Sequence, residues 1–314
     1  MIERSAAQRA YRRQQVEVAA RRQAGLLSRR QVYAMGLSRW QVEAELRARR
    51  WQAPGRQTLQ IVHVPSPEAA WWTAVLEVGP HAVLDGVTAL MAAGLTGVSE
   101  PEVHLAVPKS SDPRNLRGVV VHETRRYDPD AVLLEPVPRM RPATAAVHAA
   151  LWAWTDRQAQ LFVLASAQQG LFTATELAAE VDKIRRDRRR SLLRDLCMEV
   201  AGGIESIGEL DFARLCEARG FPPPTRQVWR KGPSGRVYLD VVWEQFGVTV
   251  EIDGFHHLAV TAWVSDALKA NTVSLEGHVV LRIPNIALRT NPDPFLDQVE
   301  QALRRGGWSG RTAA

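Results

Sequence analysis

The stretch Gly235-Arg-Val-Tyr-Leu-Asp240-Val-Val-Trp-Glu-Gln245-Phe-Gly-Val-Thr-Val250-Glu-Ile-Asp-Gly-Phe255-His-His257 carries the strongest local pattern in the chain. Two runs rich in Val, Ile and Tyr flank a short polar break ending in Gly247, the pattern of antiparallel strands joined by a tight loop. With Glu244 to Gly247 as the loop, Trp243 falls across from Val248, and Asp240 falls across from Glu251. Side chains alternate along a strand. Val248, Val250 and Ile252 therefore point to one side, and Thr249, Glu251 and Asp253 to the other. Asp240, Glu251 and Asp253 then place three carboxylates on one face.

Opposed like charges cost a sheet roughly 0.2 to 1 kcal/mol per pair, and crowding raises one carboxylate pKa unless a cation intervenes. An oxygen-rich set of this kind suits Mg²⁺ or Mn²⁺, with His256 or His257 at hand as ligand or proton acceptor. The plainer alternative is a solvated acidic face. The two histidines that follow at once, and an otherwise apolar hairpin able to be buried, favour a site.

A chain of 314 residues has room for two or three domains, and its 46 % apolar and 24 % charged content is ordinary for a globular protein. No apolar run reaches the length of about 18 residues that spans a membrane. The arginine-rich N-terminus lacks the apolar segment of an export signal. Cys197 and Cys216 have no metal-ligand spacing and suggest no disulfide framework, so a reducing cytoplasm is expected.

The net charge of +6 is unevenly distributed. Residues 1–50 contain twelve Arg and four Glu, a balance of +8, which leaves −2 for the rest. That polarity points to a polyanion at the N-terminal end, and arginine suits bidentate contacts to phosphate and guanine. Helical composition runs from Ser5 to about Ala24 and stops at Gly25. Ser28 caps a short helix from Arg29 to Met35, Gly36 supplies a turn, and Ser38 caps a helix to about Arg49. Leu27, Val32, Leu37, Val42 and Leu46 fit a three-helix core. Trp51 to Val64, with Pro54-Gly55 at its tip, suggests a β-wing. The whole predicts a winged helix-turn-helix over residues 1–64. Ser38, Arg39, Gln41 and Val42 would lie near base edges, with Arg29, Arg30, Arg47 and Arg49 among the flanking arginines on phosphate. A small helical hairpin packed on its neighbour is the alternative.

Residues 65–200 predict a mixed α/β middle region. Glu68 to Glu77 and Ala82 to Ala93 have helical faces, Val103 to Val107 and Val119 to His122 look like strands, and Pro142 to Glu180 is helical. Trp71, Trp72, Trp152 and Trp154 are expected in the core. His81, His104, His122 and His148 show no ligand spacing. The basic run Lys183 to Arg190, on what reads as a continuing helix, is either a phosphate track or a solvated face. Gly202-Gly203 opens a last domain, residues 203–308, with the order helix, strand, acidic hairpin, helix (about Ala262 to Leu275), strand (His278 to Ile283) and tail helix.

These last hundred residues resemble the very-short-patch-repair-like branch of the PD-(D/E)XK restriction-endonuclease superfamily, often described only as an endonuclease domain of unknown function. The resemblance rests on Glu209 after Ser206, Asp240, Glu251-Ile-Asp253-Gly254 with His256-His257, Trp263 with Asp266, Lys269 and Asn271, and Val280-Leu281-Arg282. The N-terminal two thirds resemble AbiEi-type antitoxin and regulator proteins through the winged helix, Ala82 to Gly97 and Pro138 to Ala153. The first resemblance implies an αβββαβ domain and metal-dependent phosphodiester hydrolysis, with Asp240 and Glu251 holding Mg²⁺ and Glu209 as a further ligand or base. Asp253 stands where the wider superfamily usually has lysine. Orientation of water would then fall to His257, Lys269 or a second metal.

Two functions follow as expectations. One is a DNA endonuclease targeted by its winged helix. The other is a sequence-specific regulator or antitoxin whose nuclease-like domain is a non-catalytic scaffold. DNA is the expected partner in both. A homodimer would supply two active sites, and a toxin or mobile-element partner fits the second function. No membrane partner is expected.

Overall fold

The computed structural model describes residues 2–202, 208–231, 237–253, 279–284, 287–288 and 291–310, with backbone alone for 2–10, 202, 208–211, 226–231, 237–240 and 253. Internal contacts divide the chain into two compact units, one of Met1–Ala92 and Glu100–Arg141, the other of Ala93–Ser99 and Pro142–Ala314. The architecture is multidomain α/β with two mixed sheets.

The first unit opens with α1 (Ile2–Arg21), β1 (Leu26–Ser28), α2 (Arg29–Ala34), α3 (Arg39–Arg47) and β2 (Thr58–Gln60). Both short helices start on capping boxes. The Ser28 hydroxyl accepts from the Gln31 backbone, and Ser38 does the same with Gln41, while each glutamine side chain accepts from the serine N–H. β1, which the sequence does not announce, pairs antiparallel with β2. Gly25 makes this closure feasible. Its φ of 85° is open to glycine, and a Cβ there would collide with the Val62 carbonyl. Ile61 and Val62 both donate to the Gly25 carbonyl. Gln52 bridges to Gln60 beside this pair, so the segment after α3 returns as the expected β-structure. The core holds Val16, Leu27, Val32, Val42, Trp51 and Leu59, with Leu37 and Leu46 packed at its edge. Buried side chains of this size contribute about 1.5–3 kcal/mol each.

The same unit continues through α4 (Ala69–Val78), β3 (Val83–Leu84), α5 (Gly86–Ala92), β4 (Val103–Pro108), β5 (Val119–Thr124), β6 (Val132–Leu133) and β7 (Arg139–Met140). The strands form one sheet in the order β5-β4-β3-β7-β6. The helix expected from Ala82 instead begins as β3, because Val83 and Leu84 pair with Ala106 and Leu105 before Gly86 turns the chain. Glu77, 4 % exposed, accepts from the backbone N–H groups of Arg56, Gln57 and Thr58 at 3.1, 2.7 and 2.6 Å. One buried carboxylate thus ties α4 to the segment leading into β2. Gly55 belongs to the same contact, since a Cβ there would strike that carboxylate.

The second unit contains α6 (Pro142–Trp152), α7 (Asp156–Gln168), α8 (Ala174–Asp182), α9 (Arg190–Gly202), α10 (Gly208–Ala218), β8 (Arg226–Lys231), β9 (Val237–Trp243), β10 (Val248–Asp253), β11 (Val279–Pro284) and α11 (Asp293–Arg305). The basic run from Lys183 to Arg190 is not a continuing helix. It spans the break between α8 and α9, because Arg189, 3 % exposed, turns inward to the Ala150 and Leu151 carbonyls and to Asp156. Trp154 also departs from expectation, at 91 % exposed, because the loop after α6 carries it off the apolar face.

The sheet of this unit has the order β11-β10-β9-β8, antiparallel except for the β10–β11 pair. One face packs Val241, Trp243, Val248, Val250, Leu281 and Ile283 with Phe212 of α10 and Phe295 and Val299 of α11. Trp243 is fully buried, and its indole N–H donates to the Pro222 carbonyl at 2.7 Å. The turn of Glu244–Phe246 closes on Gly247, whose left-handed φ of 63° completes the hairpin.

Candidate functional site

The hairpin has the register expected from its alternation, with Trp243 across from Val248 and Asp240 across from Glu251. Val228 lies beside Asp240 on β8, and Arg282 lies beside Glu251 on β11. One row across the sheet therefore reads Val228, Asp240, Glu251, Arg282. Val248, Val250 and Ile252 are buried at 1, 0 and 5 %, which commits their alternates Thr249 and Glu251 to the opposite face.

Arg282 changes the charge balance of that row. Its Nε donates to Glu251 Oε2 at 3.1 Å, with Glu251 28 % and Arg282 68 % exposed. The guanidinium supplies a cation to one of the opposed carboxylates, a role that sequence alone did not give it. The pairing depends on the parallel register of β11, which no local pattern encodes. An ion pair this open to solvent contributes about 0–1 kcal/mol, too little to hold Glu251 against a stronger cation.

The other sequence candidates are placed unevenly. Glu209 lies in the first turn of α10, and Asp253 ends β10 across from Tyr238. For Glu209, Asp240 and Asp253 the backbone is described and the side chain is not. His256, His257, Trp263, Asp266, Lys269 and Asn271 lie outside the described residues. Among the described residues, no group of three or more His, Cys, Asp or Glu is placed to hold a metal. The donor set that is present, a carboxylate directly across a strand pair from an aspartate, has the hard oxygen chemistry of a Mg²⁺ or Mn²⁺ site.

The basic N-terminal segment arranges its candidates differently. Ser38 and Gln41 spend their side chains on each other's backbone, at 3.2 Å for Gln41 N–H to Ser38 Oγ and 2.7 Å for Ser38 N–H to Gln41 Oε1. Val42 is fully buried and unavailable to any outside partner. Arg29 donates to the Arg56 carbonyl and to Glu43, and Arg47 to the carbonyl of Glu43 in its own helix. Arg30, Arg39 and Arg49 are exposed with no described ion pair. Glu45 receives Arg50 at 2.6 Å and Arg13 at 3.8 Å. The Arg50 hydrogen bond, aided by both arginine charges and opposed by partial burial, holds the Glu45 carboxyl below its ordinary range. Glu17, paired with Arg13, joins Glu43 and Glu45, so each of these three described acids has an arginine partner. The outward residue that sequence reasoning passed over is Trp40, 71 % exposed beside Arg39.

In the first unit, β4 and β5 bring together two histidines with no ligand spacing in sequence. His104 Nδ1 lies 3.1 Å from His122 Nε2 with the rings stacked, and Glu100 is 3.9 Å from His104 Nε2. Burial lowers the His104 pKa against the opposing pull of Glu100, Glu102 and Asp85.

Among the described residues no helix is long and apolar enough to cross a membrane. In comparisons with known proteins, no family model matches this chain and no curated protein matches it significantly.

Proposed function

We propose that this chain is a DNA-binding, metal-dependent endonuclease in which a winged-helix module over residues 1–64 targets DNA and a PD-(D/E)XK-like domain over residues 203–308 hydrolyses the phosphodiester. The observation that carries the proposal is the register that sets Asp240 directly across from Glu251, whose buried neighbours Val250 and Ile252 turn it to the face opposite the core. Opposed carboxylates are costly in a sheet unless a cation joins them.

Asp240 and Glu251 would hold Mg²⁺ or Mn²⁺, with Glu209 as a further ligand or base. When bound, the metal supplies Lewis acidity toward the phosphate and the attacking water. The chain's own contribution is positional. β9 and β10 set Asp240 and Glu251 in register, and Arg282 donates to Glu251 Oε2. With Asp253 where the superfamily usually places lysine, His257 or Lys269 takes the proton from water as its oxygen attacks phosphorus. The P–O bond to the leaving strand breaks, and that oxygen is protonated in turn. The arginines of α2 and α3 counter the phosphates of the bound duplex.

Cleavage of supercoiled plasmid by the full chain with Mg²⁺, Mn²⁺ or EDTA, beside Glu251→Ala, tests this. Metal-dependent nicking that Glu251→Ala loses is the expected result. Equal cleavage by Glu251→Ala would remove the hairpin from the mechanism.

One observation favours a second reading, a DNA-binding regulator or antitoxin with a non-catalytic nuclease-like domain. Arg282 already offers Glu251 a cation. On this reading the protein shifts DNA, leaves it uncut whichever metal is added, and answers to a toxin or mobile-element partner. A homodimer is compatible with either reading.

A further inference from the structure

We infer that Trp40 is a base-contacting specificity residue, packing its indole against a thymine methyl in the major groove of duplex DNA. This rests on the DNA-binding part of the proposed function and deepens it.

The inference begins from what α3 leaves available. Val42 is buried, and Ser38 and Gln41 are committed to the capping box. At about 3.6 residues per turn, Trp40, Ala44 and Arg47 follow the i, i+4, i+7 spacing, one stripe on the side of α3 away from Val42. Glu43, the acid beside that stripe, is paired with Arg29 at 3.2 Å. An approaching polyanion therefore meets a neutralised carboxylate, two exposed guanidiniums at Arg39 and Arg47, and a bare indole.

Trp40 is outside the described core of its own segment. Trp51 and Trp72, in the same unit, are 2 % and 5 % exposed, whereas Trp40 is 71 % exposed. The surrounding charge selects a polyanionic partner rather than an apolar one, since residues 1–50 carry a balance of +8. Small Ala44 one turn later leaves room beside the ring. Of the groups at base edges in the major groove, the thymine C5-methyl is the apolar one, and it is the natural contact for an indole that is 71 % exposed and makes no hydrogen bond among the described residues.

The test uses the full chain and a duplex selected by the wild-type protein from a randomised pool, synthesised with thymine and with uracil. Trp40→Ala should weaken binding to the selected duplex about tenfold, leave binding to random-sequence duplex unchanged, and keep the salt slope. Arg47→Ala should weaken both duplexes and lower the salt slope by about 1. Uracil substitution at the contacted base should cost wild type about fourfold, the worth of one buried methyl, and cost Trp40→Ala nothing. Trp40→Phe should recover part of the affinity, with thermal melting confirming that each variant is folded. Wild-type affinity and an unchanged selected motif in Trp40→Ala, or an equal uracil effect in both proteins, would overturn the inference while DNA binding stands. A wild-type protein that binds no duplex overturns the DNA-binding reading itself, a result told apart by the first titration.

Discussion

The first turn of α3 and the middle of β10 both present polar residues that sequence marks as functional, and the two elements treat them in opposite ways. At α3, Ser38 and Gln41 are taken up by the helix's own backbone. At β10, Glu251 has no local partner and waits for whatever lies one strand away, which is Asp240 on one side and Arg282 on the other. The cause is geometric. A helix N-terminus exposes unpaired N–H groups within reach of nearby side chains, whereas a strand inside a sheet has its backbone groups paired across the ladder and turns its side chains to its neighbours. A polar residue at a helix start is therefore weak support for an outside contact. One in a paired strand is stronger support.

The sharpest way to break this contrast is at the strand. Asp240→Asn should lower metal-dependent cleavage by about 100-fold or more while DNA affinity stays within about twofold, measured by plasmid cutting and duplex titration. Undiminished cutting would mean that cross-strand register marks no site here. Next in size is Glu77→Ala, which strips three backbone N–H groups of a buried acceptor. A loss of about 3 kcal/mol is expected in denaturant unfolding, and a loss below about 1 kcal/mol would show that the segment before β2 finds other partners.

Ser38→Ala sharpens the helix side of the comparison. It should cost about 1 kcal/mol of stability as a lost cap while leaving the DNA motif unaltered, and a changed motif would return Ser38 to the bases. Arg282→Gln should move stability by no more than about 1 kcal/mol yet tighten Mn²⁺ binding, read by calorimetry, since it removes a competing cation from Glu251. Unchanged or weaker Mn²⁺ binding would count against a metal at that row. The smallest effect concerns acid. The His104 pKa is lowered by burial, so its neutral form belongs to the folded state. The associated stability is present above the unfolded value of about 6.5 and is lost as pH falls through the folded value. Thermal melts of His104→Gln should therefore show a flatter acid limb below about pH 6.5 than wild type.

Much of the outline was legible before any coordinates. Capping serines with glutamine three residues on announce α2 and α3, and the alternation from Val237 to Asp253 announces the hairpin and its register. Both signals are local, since the physics that produces them acts within a few residues. The strand at Leu26–Ser28 was not legible, because three residues carry no periodicity and β1 exists only through its pairing with β2. The start of β3 hid inside an apolar run for the same reason. Arg189 shows the limit in another form, because its sequence neighbours are basic and solvent-seeking while its own guanidinium finds two carbonyls near the end of α6.

By itself, then, the sequence determined the polarity of the chain, basic at its N-terminal end, and the short-range structure at both ends, because charge and alternation are properties of neighbours along the chain. Tertiary structure decided which side chains remain available. It withdrew Ser38 and Gln41, left Trp40 bare, and set Arg282 against Glu251, because availability depends on partners distant in sequence that only folding brings within reach.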